Sequence, residues 1–194
     1  MEKNYRSIFF MVLGIFTFLA ATAEVIYVKP GAASSAWQGK SPVYSNLQEA
    51  LGHAVSGDQL WVAEGVYHPT SGTDRNISFL IKEGVKLYGG FSGTENVLAD
   101  RNHALNSTIL SGNIGSSATN ADNTSSVVKA IGTSGAPITD ATVINGFIIE
   151  DGNALNFDSG AGLYLDHASP LIQNVWFRNN YGAMGGAEIG RAHV

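Results

Sequence analysis

Two unrelated stretches of this chain return at nearly the same interval. Val143-Ile144-Asn145-Gly146-Phe147-Ile148-Ile149 can be laid over Leu171-Ile172-Gln173-Asn174-Val175-Trp176-Phe177, 28 residues further on. Ser159-Gly160-Ala161 likewise matches Gly185-Gly186-Ala187 at an offset of 26. Repetition at such a period marks units that cannot bury their apolar side alone and stack to make a shared core. Stacking sets the apolar positions of one coil on those of the next, with Gly and Asn at corners where left-handed backbone is needed.

The rest of the chain fits this reading. Segments 59–63, 78–81, 85–88, 108–110, 126–130, 143–149 and 171–177 are short apolar or β-branched runs, as strands require. Gly, Asn or Asp fills nearly every gap, as in Glu64-Gly65, Glu83-Gly84, Gly89-Gly90, Gly112-Asn113 and Asp151-Gly152-Asn153. A further strand is expected at 25–28, ended by Pro30-Gly31, and 31–44 reads as loop. One helix is expected over 46–55, where Leu47, Ala50, Leu51, Ala54 and Val55 form a single apolar stripe. Asn46 can cap it, and Glu49 completes a capping-box-like pattern. No second helical stripe appears, so an alternating β-α sheet is disfavoured. Of the 194 residues only 14% are charged, while 23 are Gly, a composition suited to short strands joined by many turns. The expected fold is all-β, a right-handed parallel β-helix, with the helix plugging the open end of the solenoid.

The first residues read as an export signal. Lys3 and Arg6 precede an apolar stretch from Ile8 to Ala20, then Ala21-Thr22-Ala23 supplies small residues at the cleavage position. A run this short does not comfortably cross roughly 30 Å of hydrocarbon. A signal peptide over 1–23 is therefore expected, followed by the strand and capping helix over 24–58 and incomplete coils over 59–187. No transmembrane segment is expected after cleavage. Residues 188–194 (Glu188-Ile189-Gly190-Arg191-Ala192-His193-Val194) match the translation of a sequencing adapter, so Arg191 and His193 are given no role.

Cysteine is absent, which excludes disulfides, cysteine-ligated zinc and a cysteine nucleophile. The net charge of −5 and the lack of a basic cluster beyond the first six residues exclude a nucleic-acid binder's footprint.

Several segments together resemble a known group. Ile26-Tyr27-Val28-Lys29-Pro30-Gly31, Asn46-Leu47-Gln48-Glu49-Ala50-Leu51, Gly57-Asp58-Gln59-Leu60-Trp61-Val62-Ala63 and Gly65-Val66-Tyr67-His68-Pro69 look like the opening of exported bacterial right-handed β-helix proteins of the pectin-lyase-like group. Val85 to Glu95 and Thr108 to Asn113 continue the likeness. Gly160-Ala161-Gly162-Leu163-Tyr164 and Ser169 to Phe177 resemble the coils of polymorphic outer-membrane and adhesin-like proteins. The resemblance covers most of residues 25–187. It implies an extracellular or outer-membrane surface location, with adhesion or binding of a polysaccharide or host-cell glycan as the role. The alternatives it leaves are a polysaccharide lyase or glycoside hydrolase with its site in downstream coils, or a spacer or autotransporter-like passenger.

Residue by residue, the chemistry is sparse. Asp151, Asp158 and Asp166, with His167 and Arg178, are the best titratable cluster. Asp in a Gly/Asn-rich loop favours turns, so no catalytic residue is assigned and no cofactor is expected; calcium on Asp151 and Asp158 is the alternative kept open. Asp166-His167 is expected to be a solvated turn and Arg178 a lone surface cation. Trp61, Tyr67, Tyr88 and Phe91 offer a sugar-stacking platform, against which stands a place in the core. Asn145 and Asn174 are expected to align between coils and satisfy each other's amides. A monomer is expected.

Overall fold

The computed structural model describes residues 22–31, 37, 39–186 and 188–191. Most of the expected signal peptide, and His193, lie outside the described residues. The chain opens with β1 (Val25–Val28), β2 (Val43–Tyr44) and helix α1 (Leu47–His53). Then follow β3 (Gln59–Ala63), β4 (Gly65–Tyr67), β5 (Phe79–Ile81), β6 (Lys86–Phe91), β7 (Thr108–Ser111) and β8 (Val128–Ile131). Strands β9 (Val143–Glu150), β10 (Asn153–Ser159), β11 (Leu163–Asp166), β12 (Leu171–Arg178), β13 (Tyr181–Met184) and β14 (Glu188–Arg191) complete it.

The protein is mostly sheet, and every ladder between these strands is parallel. A first sheet runs β2-β1-β3-β6-β9, with β12 on β9 and β7-β4 continuing from it. A second sheet orders β14-β11-β8-β5, and β10 pairs with β13 in a third. The chain alternates between them. It leaves the first sheet after β4, visits the second at β5, returns at β6, and repeats the exchange through β8, β9, β11, β12 and β14. Parallel neighbours cannot be joined by hairpins, so each return is a crossover.

Register explains what holds the passes together. Ile26, Leu60, Leu87, Ile144 and Ile172 are successive partners across five strands. Tyr67, Leu110, Ile149 and Phe177 form another row. The second sheet stacks Phe79, Val128 and Leu163, and beside them Ile81, Ala130 and Leu165. These rows share one buried core, to which α1 adds Leu47, Ala50 and Leu51. Each fully buried aliphatic or Phe side chain contributes about 1.5–3 kcal/mol relative to exposure.

Strand β9 is long enough to serve two partners on one edge. Its first half pairs with Lys86–Tyr88 and its second with Ile109–Ser111. Between these, residues 92–107 leave the sheet. The departure needs glycine: a Cβ on Gly89 would lie 2.4 Å from the Gly146 carbonyl oxygen. Gly90 N then donates to Thr108 Oγ1 at 2.9 Å, closing the excursion at its base.

Several expectations need correction. The helix spans Leu47–His53, and Val55 is 52% exposed outside it. Asp58 sets that end, because its carboxylate accepts from Val55 N at 2.9 Å and from Glu24 N at 2.9 Å. Asn46 caps the start, its Oδ1 accepting from Gln48 N and Glu49 N. The second repeat sits in a different register from that expected: Ser159 lies opposite Met184 rather than Gly185. Asn145 lies opposite Gln173 rather than Asn174. Residues 153–159, read as loop, form β10, so Asp158 lies on a strand. Glu188–Arg191 pairs with Leu163–Asp166, which leaves the adapter reading of 188–194 untested.

Candidate functional site

The aromatic platform read from the sequence is a second core. Tyr27, Trp37, Trp61 and Phe91 cluster on the far side of the first sheet, with Tyr88 and Leu98 packed against them. Trp61 and Phe91 stack at 4.9 Å, and Tyr27 meets Trp37 at 4.9 Å. Trp37 Nε1 donates to the Glu95 carbonyl at 3.1 Å, which ties the excursion down over these rings. Tyr67 belongs to the main core, where its hydroxyl donates to Ala63 O at 2.9 Å and burial pushes its phenol well above the usual value. None of these rings offers an open face to a sugar, except the partly buried Tyr88. Arg101 lies over that ring, 5.3 Å from its centroid.

Arg101 joins the excursion to β9. Its Nη1 donates to Gly89 O at 2.8 Å and its Nη2 to Asn145 Oδ1 at 2.8 Å. Burial pulls the guanidinium below its ordinary value, while Tyr88 opposes that shift. Asn145 Nδ2 in turn donates to Gln173 Oε1 at 3.0 Å, and Asn174 Nδ2 donates to Asn145 Oδ1 at 3.1 Å. The expected contact between Asn145 and Asn174 therefore runs one way only, since the Asn145 amide donates to Gln173, and the two are not register partners. Asn174 has φ +52° opposite Gly146 at φ +85°, so both passes turn left-handed at the same point.

Of two depressions on the surface, the first shares Asn174 with this network. A mainly apolar groove of about 230 Å³ is lined by His103, Ala104, Phe147, Ile148, Asn174 and Trp176. Trp176 is 72% exposed and stands in an outward row with Ile148 and Ile109. An open polar cleft of about 640 Å³ is lined by Asn113, Thr119, Asn120, Asn123, Asp151 and Tyr181, among others. Tyr181 is 54% exposed. Among the described residues these are the two strongly exposed aromatics. Sequence reading missed both. The signal was there: Trp176 overlies Ile148, which alternates with the buried Phe147 and Ile149 and so points outward.

The titratable residues do not converge on one site. Asp151, at φ +60°, accepts from Ser111 Oγ at 3.3 Å and borders the polar cleft. Asp166 Oδ1 meets His167 Nδ1 at 2.9 Å at the end of β11, a partly exposed turn contact. Arg178 is not a lone cation: its Nε donates to Glu150 Oε2, its partner across the β9–β12 ladder. Among the described residues no three His, Asp or Glu side chains are grouped to hold a metal ion. Nor is any described helix long and apolar enough to cross a membrane. No family model, curated protein or solved structure matches the chain.

Proposed function

We propose that this chain is an exported right-handed parallel β-helix scaffold, akin to the pectin-lyase-like proteins, that binds polysaccharide or cell-surface glycan. The fold reading is supported by parallel ladders whose apolar partners recur through five strands, and by regular alternation between sheets. Parallel crossovers within one sheet are right-handed in nearly all cases. Helix α1 packs on the first passes with three buried apolar residues, as a plug for the starting end does. Export is supported by Lys3, Arg6, the apolar stretch to Ala20 and Ala21-Thr22-Ala23.

One observation carries the binding role. Trp176 and Tyr181, the strongly exposed aromatics among the described residues, each stand at a depression and lie five positions apart in the chain. At ~3.3–3.6 Å per residue their Cα atoms are at most roughly 18 Å apart, within reach of one short oligosaccharide. Large exposed aromatic faces beside concave, partly polar surface are costly in water unless a ligand covers them.

Affinity electrophoresis of the full chain through gels containing neutral or acidic polysaccharides tests this. Retardation by at least one polysaccharide, relieved in Trp176→Ala, is the expected result. Unchanged mobility in every gel leaves a spacer role in its place.

A further inference from the structure

The wall of the polar cleft is short of partners at one point. Asn123 is only 4% exposed, and its Oδ1 has no hydrogen-bond partner. A buried acceptor left without a donor is unfavourable by itself. Around it the lining is amide and hydroxyl: Asn113, Ser117, Thr119, Asn120 and Asn179, with the ring of Tyr181 at one side. The one carboxylate in that lining is Asp151, and no Lys, Arg or His belongs to it. Arg75 reaches the same wall, but its Nε and Nη2 donate to the backbone carbonyls of Asn123 and Asn153 at 2.6 Å each. Arg178 is engaged by Glu150. The cleft therefore offers paired donors and acceptors, one aromatic face and one negative charge, with no lining cation to receive an anion.

We infer that this cleft is a subsite for an uncharged pyranose and that it discriminates against uronic acids. Sugar hydroxyls both donate and accept, which matches side-chain amides that do the same. Asn123 Oδ1 is itself shielded from the cleft, so a sugar there meets the amides of Asn113, Asn120 and Asn179 and the hydroxyls beside them. A uronate brings a carboxylate to a surface whose one fixed charge, on Asp151, repels it. The inference rests on the glycan-binding reading above and narrows it to a ligand class.

Isothermal titration of the full chain at low salt with neutral hexasaccharides of glucose, galactose and mannose, and with hexagalacturonate, tests it. At least one neutral hexasaccharide is expected to bind, and hexagalacturonate at least roughly tenfold more weakly. Tyr181→Ala should weaken the neutral ligand about tenfold. Asp151→Asn keeps a residue that tolerates φ +60° and should narrow the neutral-to-acidic ratio by several-fold. Circular dichroism of each variant guards against misfolding. Hexagalacturonate binding as tightly as every neutral ligand overturns the inference but leaves glycan binding standing. So does neutral binding that Tyr181→Ala leaves intact and Trp176→Ala abolishes. If no sugar of either kind binds, the glycan-binding reading itself falls.

Discussion

Asn174 reaches back across the β9–β12 ladder to Asn145, its Nδ2 donating to Oδ1 at 3.1 Å although the register sets Asn145 opposite Gln173. The offset arises because Asn174 turns left-handed, which swings its side chain toward the preceding position of the neighbouring strand. Asn145 thereby serves three partners at once: Arg101 from the excursion, and Gln173 and Asn174 from the next pass. It is the point at which the loop over the outer aromatic core is tied to the stacked strands.

Asn145→Ala removes all three side-chain hydrogen bonds and leaves Arg101 Nη2 without its acceptor, while Nη1 keeps Gly89 O. Neutral bonds are worth ~1 kcal/mol and those to a charged group ~1.5–3, so a loss of about 3 kcal/mol is expected. Asn174→Gly serves as its control. That variant forfeits only the Asn145 contact and gains backbone freedom at φ +52°, so it should stay within about 1 kcal/mol of the parent. Urea denaturation followed by tryptophan fluorescence measures both.

The stacked rows were readable because each alternates with polar or glycine positions at fixed spacing. Ile144 over Ile172 follows directly from the 28-residue overlay, and the structure sets them as partners. The second offset failed by one residue because Gly-Ala and Gly-Gly repeats have no side chains to fix their register. Trp61 and Phe91 were ambiguous for another reason. The first sheet has apolar residues on both faces at that level, and only the excursion through Glu95 decides that the outer face is covered. Nothing local in residues 92–107 announces that return. The polar cleft was illegible in turn, since its walls come from residues 113–123, Asp151 and Tyr181, brought together by parallel stacking.

Leu87 is the middle member of the five-strand row and fully buried. Leu87→Ala should cost about 2–5 kcal/mol, because neighbours fixed by ladders on both sides cannot collapse into the cavity. Val66 sits one strand position from the buried Tyr67 but points outward and is half exposed. Val66→Ala should cost under about 0.5 kcal/mol. Equal losses at the two sites, in guanidinium unfolding curves, would contradict the assignment of inner and outer rows.

Acid should loosen the excursion before the stacked core. Burial pushes the Glu95 carboxyl up, but donations from the Ser92 and Thr94 backbone outweigh it, and the net value lies below the ordinary 4.5. Glu83 is lowered too, chiefly by the Thr139 hydroxyl and backbone N–H. A folded value below the unfolded one stabilises fully above the ordinary carboxylate range. That contribution disappears as pH falls through the folded value. Thermal midpoints should therefore hold steady from neutrality to about pH 5 and drop below pH 4.5. In Glu95→Gln the drop should be shallower. A midpoint that rises on acidification in the parent and not in this variant contradicts the sign.

The two tryptophans on the first sheet separate stability from binding. Trp61 is 5% exposed, stacked on Phe91 and edge-on to Tyr27, so Trp61→Ala opens the outer core and should cost about 3–5 kcal/mol. Trp176 shares the sheet, yet its ring stands in solvent beside the groove of Phe147, Ile148 and Asn174. Truncating it removes surface already exposed to water, and stability should change by less than about 1 kcal/mol. If that ring is a ligand platform, Trp176→Ala loses glycan retardation at unchanged urea midpoint, while Trp61→Ala loses both together. A Trp176→Ala chain that unfolds as readily as Trp61→Ala assigns the ring a structural role instead, and the binding proposal then loses its principal residue.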